Sequence, residues 1–508
     1  MPSKALVIGA GFGGIAAALR LRAKGHDVTL LDRLDKLGGR AYVFERDGFT
    51  FDAGPTVVTA PYLFDELFAL FGKKREDYVE FVPCKPWYRI RFADGRTFEY
   101  GGTMADMEAE IARFEPSDVA GYRRFMAHTR KIYEIGYLQL GDQPFNKLGT
   151  MLGLTPRMVG LESYLSVYRR ACKYLKNDYL RRVFSFQPLL VGGNPATTTS
   201  IYSLIQTLEM DYGVWYAMGG TGAIVRAFGR LMEEEGIAVR LESTVEEILV
   251  RDGKARGARL AGGEELAADI VVCNADAPAV YRNLLPAQHR RKWTDRRVEK
   301  LRYSMGLFVM YFGAKKTWPD LAHHTILLAD RYIPLIDDIF DKPDIAEDFS
   351  LYLHAPTRTD PSMAPPGHEC FYVLCPVPNL KNGAAIDWAV EGPKLRDRIL
   401  EFLDEEVVPG LRENLTTEFH VTPEYFRDNL LTHHGTGFSI QPVLTQSAYF
   451  RFHNQSEDIG DLYFVGAGTH PGAGMPGVLS SAKVVERILD GDLTPRRDCP
   501  VPAPPLAS

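Results

Sequence analysis

ALVIGAGFGG, residues 5–14, is the stretch of sequence that decides the fold. It opens with four apolar residues, the length of a short strand, and its glycines follow the pattern G-x-G-x-x-G at Gly9, Gly11 and Gly14. A segment rich in alanine and leucine comes next, and a second apolar run ends at Asp32. A strand, a glycine turn, a helix and a second strand that ends in an acid form the pattern of a dinucleotide-binding fold.

Each part of this pattern has a physical role in holding a dinucleotide. The glycines permit a tight turn, a close approach of the backbone to a pyrophosphate, and close packing of the helix on the strand. The first N–H groups of the helix attract phosphate. The carboxylate of Asp32 can accept hydrogen bonds from both hydroxyls of an adenosine ribose, and its charge disfavours the 2′-phosphate of NADP. The predicted contact residues are Gly9, Ala10, Gly11, Phe12, Gly13, Gly14, Asp32 and Arg33.

Length and composition narrow the classes of function. The chain has 508 residues, enough for two or more domains, and 45% of them are hydrophobic. A net charge of -6, from 59 basic and 65 acidic residues, gives no overall attraction to nucleic acid, so we expect no nucleic-acid partner. The six cysteines form no C-x-x-C pair, so the spacing indicates neither a zinc site nor a disulfide framework.

The sequence also limits how the protein can contact a membrane. Its N-terminus leads directly into a core strand, so we expect no signal peptide. Its apolar runs are shorter than the ~18 residues that a spanning helix needs. We therefore expect any membrane contact to be peripheral and on the cytoplasmic side.

Two further glycine turns follow the nucleotide motif, Leu-Gly-Gly-Arg at residues 37–40 and Asp-Ala-Gly-Pro-Thr at residues 52–56. The motif followed by these turns resembles the FAD-binding amine oxidase and carotenoid desaturase superfamily. In that superfamily the first turn lies along the FAD, and the second approaches the isoalloxazine ring. The resemblance therefore implies FAD as the cofactor. The contacts that it implies are Gly38, Gly39, Arg40, Gly54, Pro55 and Thr56.

The second informative stretch lies near the C-terminus, where an apolar strand meets the run GTHPGAGMPG at residues 468–477 and a helix predicted at residues 480–489. This run resembles the C-terminal signature of bacterial-type phytoene desaturases, and residues 436–451 separate these enzymes from monoamine oxidases. Glycines let such a loop lie against a flat ring, and the start of the helix places a positive dipole near it. The implied FAD contacts are Val245, which would offer its backbone to the adenine, and Gly468, Thr469, Gly474, Pro476, Gly477 and Val478.

The resemblance also implies the architecture. We expect an α/β protein with a Rossmann-like FAD-binding domain of the GR2-type flavoproteins, an inserted α+β substrate domain, and a helical subdomain that faces the membrane. The FAD-binding domain is predicted to be discontinuous, at residues 1–70, 213–277 and 435–492. Residues 71–212 and 278–434 are assigned to the substrate and membrane-associated domain, and residues 493–508 to a disordered tail.

Some local patterns within the insert lead to further predictions. Residues 88–92 and 97–100 flank an Asp-Gly turn and predict a hairpin. Residues 303–312 form a continuous apolar run typical of a strand buried on both faces. Residues 330–348 contain seven acids and two prolines, which favour an exposed, mobile loop.

Residues 147–182 contain eight basic residues, two acids and interleaved tyrosines. A basic helix with an apolar and aromatic face can lie in a bilayer interface and attract anionic lipid. The commoner outcome of such a charge run is a solvated helix face. An apolar substrate would favour the membrane interpretation.

The implied reaction is the FAD-dependent desaturation of phytoene to lycopene, in which a hydride leaves an allylic carbon for the flavin and a proton leaves the neighbouring carbon. Phytoene has no polar handle, so we expect an apolar tunnel formed by the insert, with phytoene and its partly desaturated intermediates as ligands. The electron acceptor could be oxygen or a quinone. Glu209, Asp211 and His470 lie next to the presumed flavin loops, but none is assigned as a base, and the catalytic residues stay open.

Several alternatives remain at this level. The product could be neurosporene, or the protein could be a carotenoid isomerase, a desaturase of hydroxylated or C30 carotenoids, or an amine oxidase. The protein could also be a carrier that binds isoprenoids without catalysis, because Rab GDP-dissociation inhibitors have a similar fold and hold prenyl chains without FAD. Histidines at 323–324, 368 and 433–434 lack a known ligand spacing, so we predict that they are structural and that there is no metal.

Overall fold

The computed structural model describes residues 3–492 of the chain. The strands of this part are, in chain order, β1 (Lys4–Ile8), β2 (Asp27–Leu31), β3 (Val43–Arg46), β4 (Phe49–Asp52), β5 (Phe81–Pro83), β6 (Tyr88–Phe92), β7 (Thr97–Tyr100), β8 (Trp215–Ala217), β9 (Ala238–Arg240), β10 (Val245–Arg251), β11 (Lys254–Leu260), β12 (Glu265–Ala267), β13 (Ile270–Cys273), β14 (Gly306–Ala314), β15 (His324–Leu328), β16 (Leu351–His354), β17 (Glu369–Val377), β18 (Leu415–Val421) and β19 (Leu462–Phe464). The helices are α1 (Phe12–Ala23), α2 (Tyr62–Ala69), α3 (Met104–Phe114), α4 (Val119–Tyr133), α5 (Leu148–Gly160), α6 (Val167–Tyr174), α7 (Asp178–Val183), α8 (Leu204–Tyr212), α9 (Gly220–Glu234), α10 (Ala277–Ala279), α11 (Asp295–Glu299), α12 (Tyr332–Asp341), α13 (Trp388–Glu406), α14 (Leu411–Asn414), α15 (Pro423–Asp428) and α16 (Met475–Leu489).

A five-stranded parallel sheet carries the nucleotide motif. Its strand order is β19-β13-β1-β2-β9, with β1 at the centre and α1 packed against α16 beside it. The central strand is apolar and buried from Ala5 to Ile8, as a parallel sheet covered on both faces requires. Since the strands run parallel, the segments that follow β1, β2, β13 and β19 all meet at one edge of the sheet. Ligands of such sheets bind in the crevice at this edge.

A seven-stranded mixed sheet forms the second layer, in the order β18-β14-β17-β16-β15-β6-β7. All nine residues of β14 are buried, which confirms the predicted strand as an apolar central element. The predicted hairpin is also confirmed, because β6 and β7 pair antiparallel at the expected residues. The same sheet joins β6 to β15 in parallel across more than two hundred residues of chain, a pairing that no local pattern indicates.

Helices α3 to α8 form the helical part of the insert. Residues 115–139 contain α4 and a π-helical continuation, Glu134–Gln139. Residues 161–184 contain two short helices, α6 and α7. Within residues 3–492, no helix combines the length and the apolarity needed to cross a bilayer.

The prediction of a mobile loop at residues 330–348 is wrong for residues 332–341. This segment contains α12, whose inner face buries Leu335, Ile336, Ile339 and Phe340. These apolar residues recur with the spacing of one helix face, while the acids that dominate the composition lie mainly on the other face. Pro334 is tolerated because it lies in the first turn of the helix.

The C-terminal helix α16 begins earlier than predicted, at Met475 rather than residue 480. Pro476, Gly477 and Val478 therefore lie in its first turn, where proline lacks only an N–H that would have no partner inside the helix. The division into domains stays a prediction. The tail predicted at residues 493–508 lies outside the described residues.

Candidate active site

A cavity of about 570 Å³ extends from the crevice at the edge of the parallel sheet to the inner face of α5. Gly11, Asp32 and Arg40 line the crevice end, and Met151 and Met158 line the far end. Of the residues predicted to contact FAD, four lie behind the wall and the others line the cavity. The four are Ala10, Gly14, Gly468 and Thr469; the lining ones are Gly9, Gly11, Phe12, Gly13, Asp32, Arg33, Gly38, Gly39, Arg40, Gly54, Pro55, Thr56, Val245, Gly474, Pro476, Gly477 and Val478.

The turn between β1 and α1 depends on its glycines. Gly9 has a φ of +99°, a conformation that L side chains rarely adopt, and a Cβ at Gly14 would lie 1.9 Å from the carbonyl oxygen of Gly9. No side chain of the described residues caps α1. The first N–H groups of this helix therefore keep their hydrogen-bonding capacity for a ligand in the crevice.

Asp32 follows β2 and closes the crevice from the second strand. Its Oδ2 accepts a hydrogen bond from the backbone N–H of Ala10 at 2.6 Å, and its Oδ1 accepts one from Leu34 at 2.9 Å. Burial raises the pKa of Asp32 above its ordinary value, while these N–H groups act in the opposite direction. Each oxygen retains lone-pair capacity for a further donor such as a ribose hydroxyl.

Arg40 provides a test of whether an anionic cofactor fits this site. Its Nε and Nη2 atoms are buried and have no hydrogen-bond acceptor within residues 3–492. Burial lowers the pKa of its guanidinium. Buried donors of this kind call for an acceptor, and the planar guanidinium suits a phosphate. The crevice therefore fits the pyrophosphate of a dinucleotide.

The turn at residues 54–56 is fixed by tyrosines of the seven-stranded sheet. Thr56 Oγ1 lies 2.7 Å from the hydroxyl of Tyr372 and 3.0 Å from that of Tyr352. A Cβ at Gly54 would lie 2.0 Å from the carbonyl oxygen of Arg40, so this turn packs directly on the preceding one. The two predicted turns therefore form one continuous wall of the cavity.

The C-terminal loop closes the crevice from the opposite side. Gly466 and Gly474 have φ values of +98° and +92°, and Gly474 directly precedes α16. Gly468 and Thr469 lie behind the wall, where Thr469 Oγ1 donates to the carbonyl oxygen of Gly466 at 3.1 Å. These two residues shape the loop instead of lining the cavity, and their assignment as direct cofactor contacts stays a prediction.

Several residues that line the cavity were not predicted from the sequence. Asn274 and Asp276 follow β13 at the same sheet edge, and the Asn274 side chain fills the space between Gly13 and Gly466. Ser243 and Thr244 line the cavity beside Val245. The position of Asn274 and Asp276 directly after a buried parallel strand could have indicated them, because the carboxyl ends of such strands meet at one edge of the sheet, where ligands bind.

The far half of the cavity is mainly apolar. One face of α8, with Leu204, Ile205 and Leu208, forms part of its wall, and β14 contributes Leu307 and Val309. Its polar members include Tyr88, Glu209 and His470. Such a lining suits a hydrocarbon ligand, because apolar contacts need no hydrogen-bond partner.

The structure separates the three candidate bases. Asp211 forms a bidentate ion pair with Arg130 and does not line the cavity. His470 lines it, with Nε2 3.2 Å from the carbonyl oxygen of Leu140, and burial lowers its pKa to about 4. Glu209 lines the cavity and accepts hydrogen bonds from the hydroxyls of Tyr88, which also lines it, and Tyr100, which lies behind the wall.

The paired histidines lie in hydrogen-bonded clusters. His323 contacts Thr359 Oγ1 at 2.6 Å and His354 Nε2 at 3.0 Å, and Cys84 Sγ lies 3.7 Å from His324 Nε2. The approach of Cys84 could not be read from sequence spacing. The prediction of a metal-free protein stays a prediction, which elemental analysis of purified protein can test.

The comparisons with known proteins agree with this geometry. The family model for flavin-containing amine oxidoreductases matches residues 12–486. A lycopene-forming phytoene desaturase of Pseudescherichia vulneris is 49% identical over 96% of this chain and 99% of its own. A neurosporene-forming phytoene desaturase of Rhodobacter capsulatus is 46% identical over 99% of this chain and 96% of its own.

The solved structures show the same fold. An oxidoreductase from Methanosarcina mazei superposes with a TM-score of 0.63 over 96% of this chain and 100% of its own, at 18% identity. The motif, the crevice with its orphaned arginine, and the family match all lead to a flavin as the bound dinucleotide, and the cofactor is FAD. The chain belongs to the flavin-containing amine oxidoreductases and, within them, to the phytoene desaturases.

Proposed function

We propose that the protein desaturates phytoene stepwise to lycopene, with FAD as the oxidant. The observation that carries this proposal is the single cavity that joins the dinucleotide crevice to an apolar chamber. The identity of 49% to a lycopene-forming relative over nearly the whole chain supports it. When bound, FAD supplies the acceptor for a hydride from an allylic carbon.

The residues of the crevice have separate roles in holding the cofactor. The start of α1 and Arg40 would bind the pyrophosphate, and Asp32 would bind the adenosine ribose. Val245 borders the cavity at the start of β10, where its backbone can meet the adenine. The turn that ends at Thr56 would lie against the reacting ring.

The apolar chamber has to orient a substrate that offers no hydrogen bond. The position of a polyene chain is then set by the shape and depth of the wall, and each new double bond requires the chain to shift relative to the ring. Residues from α5, α8 and β14 contribute this wall. The chamber also excludes water from the reacting carbons, which protects the reaction from side products.

The product can be tested by expression in a bacterium that makes phytoene. We expect lycopene in the pigment extract, separated by chromatography, and less lycopene with an Asp32→Ala variant, whose affinity for FAD should be lower. Accumulation of neurosporene would indicate that this protein forms the same product as the Rhodobacter capsulatus relative. Unchanged phytoene with the wild-type protein, present at normal levels and loaded with FAD, would overturn the proposal.

We also propose that α5 places the cavity mouth on a membrane, with the protein bound peripherally. The inner face of this helix, with Met151, Leu154 and Met158, lines the cavity. Its outer face exposes Leu152 and Val159 at 63% and 57%. A helix with an apolar face on both sides suits a position between a hydrocarbon chamber and lipid.

Not all of the basic residues at 147–182 are available to lipid. Lys147 and Arg157 are exposed near the two ends of α5. Arg170 is fully buried and donates to the carbonyl oxygen of Leu161 and to Ser200, so it stabilises the insert instead of facing lipid. Lys173 pairs with Glu162. Apolar insertion is therefore expected to contribute more to membrane binding than charge.

A matched pair of substitutions tests the membrane contact. Val159→Glu places a charge on the outer face of α5, and Val390→Glu does the same at a similarly exposed valine of α13. In flotation with phospholipid vesicles, we expect Val159→Glu to lower bound protein about tenfold and Val390→Glu to leave it unchanged. Equal binding of both variants and the wild type would refute the role of α5.

The electron acceptor and the side of the membrane remain proposals. We propose that oxygen or a quinone accepts the electrons. Measuring turnover in air, and then under nitrogen with and without a quinone, distinguishes the two. Protease protection in spheroplasts tests the cytoplasmic side. A protein digested from outside intact spheroplasts would contradict that location.

A further inference from the structure

Glu209 stands apart from the other acidic residues that line the cavity. Asp32 and Asp276 lie at the crevice end, whereas Glu209 lies on α8, whose residues Ile205 and Leu208 line the apolar chamber. Glu209 is fully buried. An ionisable group in such surroundings is costly to keep unless it has a role or a full set of partners.

The partners of Glu209 are neutral hydroxyls. Tyr88 and Tyr100 each donate a hydrogen bond to its carboxylate, both at 3.0 Å. Burial raises the pKa of Glu209 to about 7, and the two hydroxyls act in the opposite direction. Glu209 has no ion pair with a cation within residues 3–492, and a carboxylate held by neutral donors can take up and release a proton near neutral pH.

A series of contacts connects Glu209 to the wall at the reacting ring. The ring centroids of Tyr88 and His324 lie 5.9 Å apart. His324 Nδ1 lies 2.7 Å from the hydroxyl of Tyr352, which in turn lies 3.0 Å from Thr56 Oγ1. These contacts link Glu209 through Tyr88, His324 and Tyr352 to Thr56, in the turn proposed to lie against the flavin ring.

We propose that Glu209 accepts the proton that each desaturation removes from the substrate, while Tyr88 and Tyr100 hold its carboxylate in place. This inference rests on the proposed function. In each step, two C–H bonds break at neighbouring carbons and one carbon–carbon π bond forms. One hydrogen leaves with its electron pair to the flavin, and the other leaves as a proton that bonds to a carboxylate oxygen of Glu209. The acid must release this proton before the next step.

The other two candidates are weaker on geometry. Asp211 is held by Arg130 outside the cavity wall. His470 has one ring nitrogen against the carbonyl oxygen of Leu140, and its low pKa makes it a weak base. Glu209 combines a position in the apolar chamber with a proton affinity suited to neutral pH.

The first experiment compares Glu209→Gln with Asp211→Asn, a matched carboxylate-to-amide change on the same helix. Purified holoenzyme is mixed with phytoene in vesicles under nitrogen, and flavin bleaching is followed in a single turnover. We expect Glu209→Gln to bleach at least ~100-fold more slowly with its FAD content unchanged, because general-base catalysis contributes about that much. Asp211→Asn should stay within about twofold of wild type. A Glu209→Gln rate within about threefold of wild type would overturn the inference.

The second experiment follows the protonation of the carboxyl group by infrared spectroscopy and compares it with the pH dependence of the rate. Infrared difference spectra of the holoenzyme across pH 5 to 9 should show a protonated carboxyl band that titrates near pH 7 and is absent in Glu209→Gln. In Tyr100→Phe, loss of one donor should move the midpoint of this band, and the rising limb of the rate profile, to higher pH. A Tyr100→Phe variant slowed equally at every pH, with an unmoved band, would indicate a purely structural role and contradict the proposal.

The two proposals fail in different ways. If wild-type holoenzyme leaves phytoene unchanged and its flavin oxidised, the proposed function fails and the inference falls with it. If wild type and Glu209→Gln desaturate phytoene at similar rates, only the role of Glu209 fails.

Discussion

Gly11 and Gly14 belong to the same motif, but the structure requires them for different reasons. A Cβ at Gly14 would meet the backbone oxygen of Gly9 at 1.9 Å, and backbone cannot move cheaply. A Cβ at Gly11 would meet only the side-chain amide of Asn274, at 2.8 Å. Gly14 is therefore needed for the fold, and Gly11 keeps space at the wall of the crevice.

We expect Gly14→Ala and Gly11→Ala to fail differently. Gly14→Ala should lower the melting temperature strongly, because overpacking against backbone costs several kcal/mol. Gly11→Ala should fold but purify with little FAD. Thermal denaturation and the flavin absorbance of the purified proteins measure the two effects. A Gly14→Ala protein with wild-type melting temperature and full FAD would contradict this account.

Asp32 can be tested against Asp27, which is exposed at the other end of the same strand. Asp32→Ala removes the acceptor for the ribose and the partner of the Ala10 N–H, so we expect FAD affinity to fall at least ~10-fold. Asp27→Ala should bind FAD like the wild type. Titration of the proteins with FAD gives both affinities, and equal values would refute the assignment of Asp32.

The protonation of Glu209 also predicts how stability depends on pH. Its pKa is raised from 4.5 to about 7 on folding, so the folded state holds a proton that the unfolded state releases in this window. The stabilisation is fully present below about pH 4.5 and is lost as pH rises through 7. The stability of wild type relative to Glu209→Gln should therefore fall by about 3 kcal/mol from pH 4.5 to 8. Urea denaturation at both pH values measures it, and a constant difference would contradict the raised pKa.

At the scale of elements, local patterns predicted most of what lies close in sequence. The motif of β1, α1 and β2 and the hairpin of β6 and β7 could be predicted because each is specified within a few tens of residues. The prediction of a loop where α12 lies was wrong although the pattern for a helix is also local. Acids dominate the composition of residues 330–348, whereas the helical spacing of the apolar residues of α12 determines its structure.

The burial of α12 leads to a test of that element. Ile336→Ala would remove a buried side chain from the core shared with the seven-stranded sheet, so we expect a loss of about 3 kcal/mol in the free energy of unfolding. Lys342→Ala, at the exposed end of the same helix, should change stability by less than about 0.5 kcal/mol. Denaturant titration compares the two. If both variants match the wild type, α12 does not pack as the structure shows.

At the scale of the whole molecule, the cofactor was easier to predict than the cavity. The residues around the dinucleotide lie in glycine-rich motifs, which the sequence displays directly. The wall around Thr56 is instead completed by Tyr352 and Tyr372, on strands that are far away in sequence. Glu209 meets its two tyrosines in the same long-range way. Sequence alone could name Glu209 as a candidate, but only tertiary contacts separate it from Asp211.

The central claim is that one cavity holds FAD beside an apolar chamber for phytoene. The most direct measurement mixes FAD-loaded protein with phytoene in vesicles under nitrogen and records the absorption spectrum. The account predicts that the oxidised flavin bands bleach while bands of a longer conjugated polyene appear. Flavin that stays oxidised in folded, FAD-loaded protein, with phytoene recovered unchanged, would contradict it.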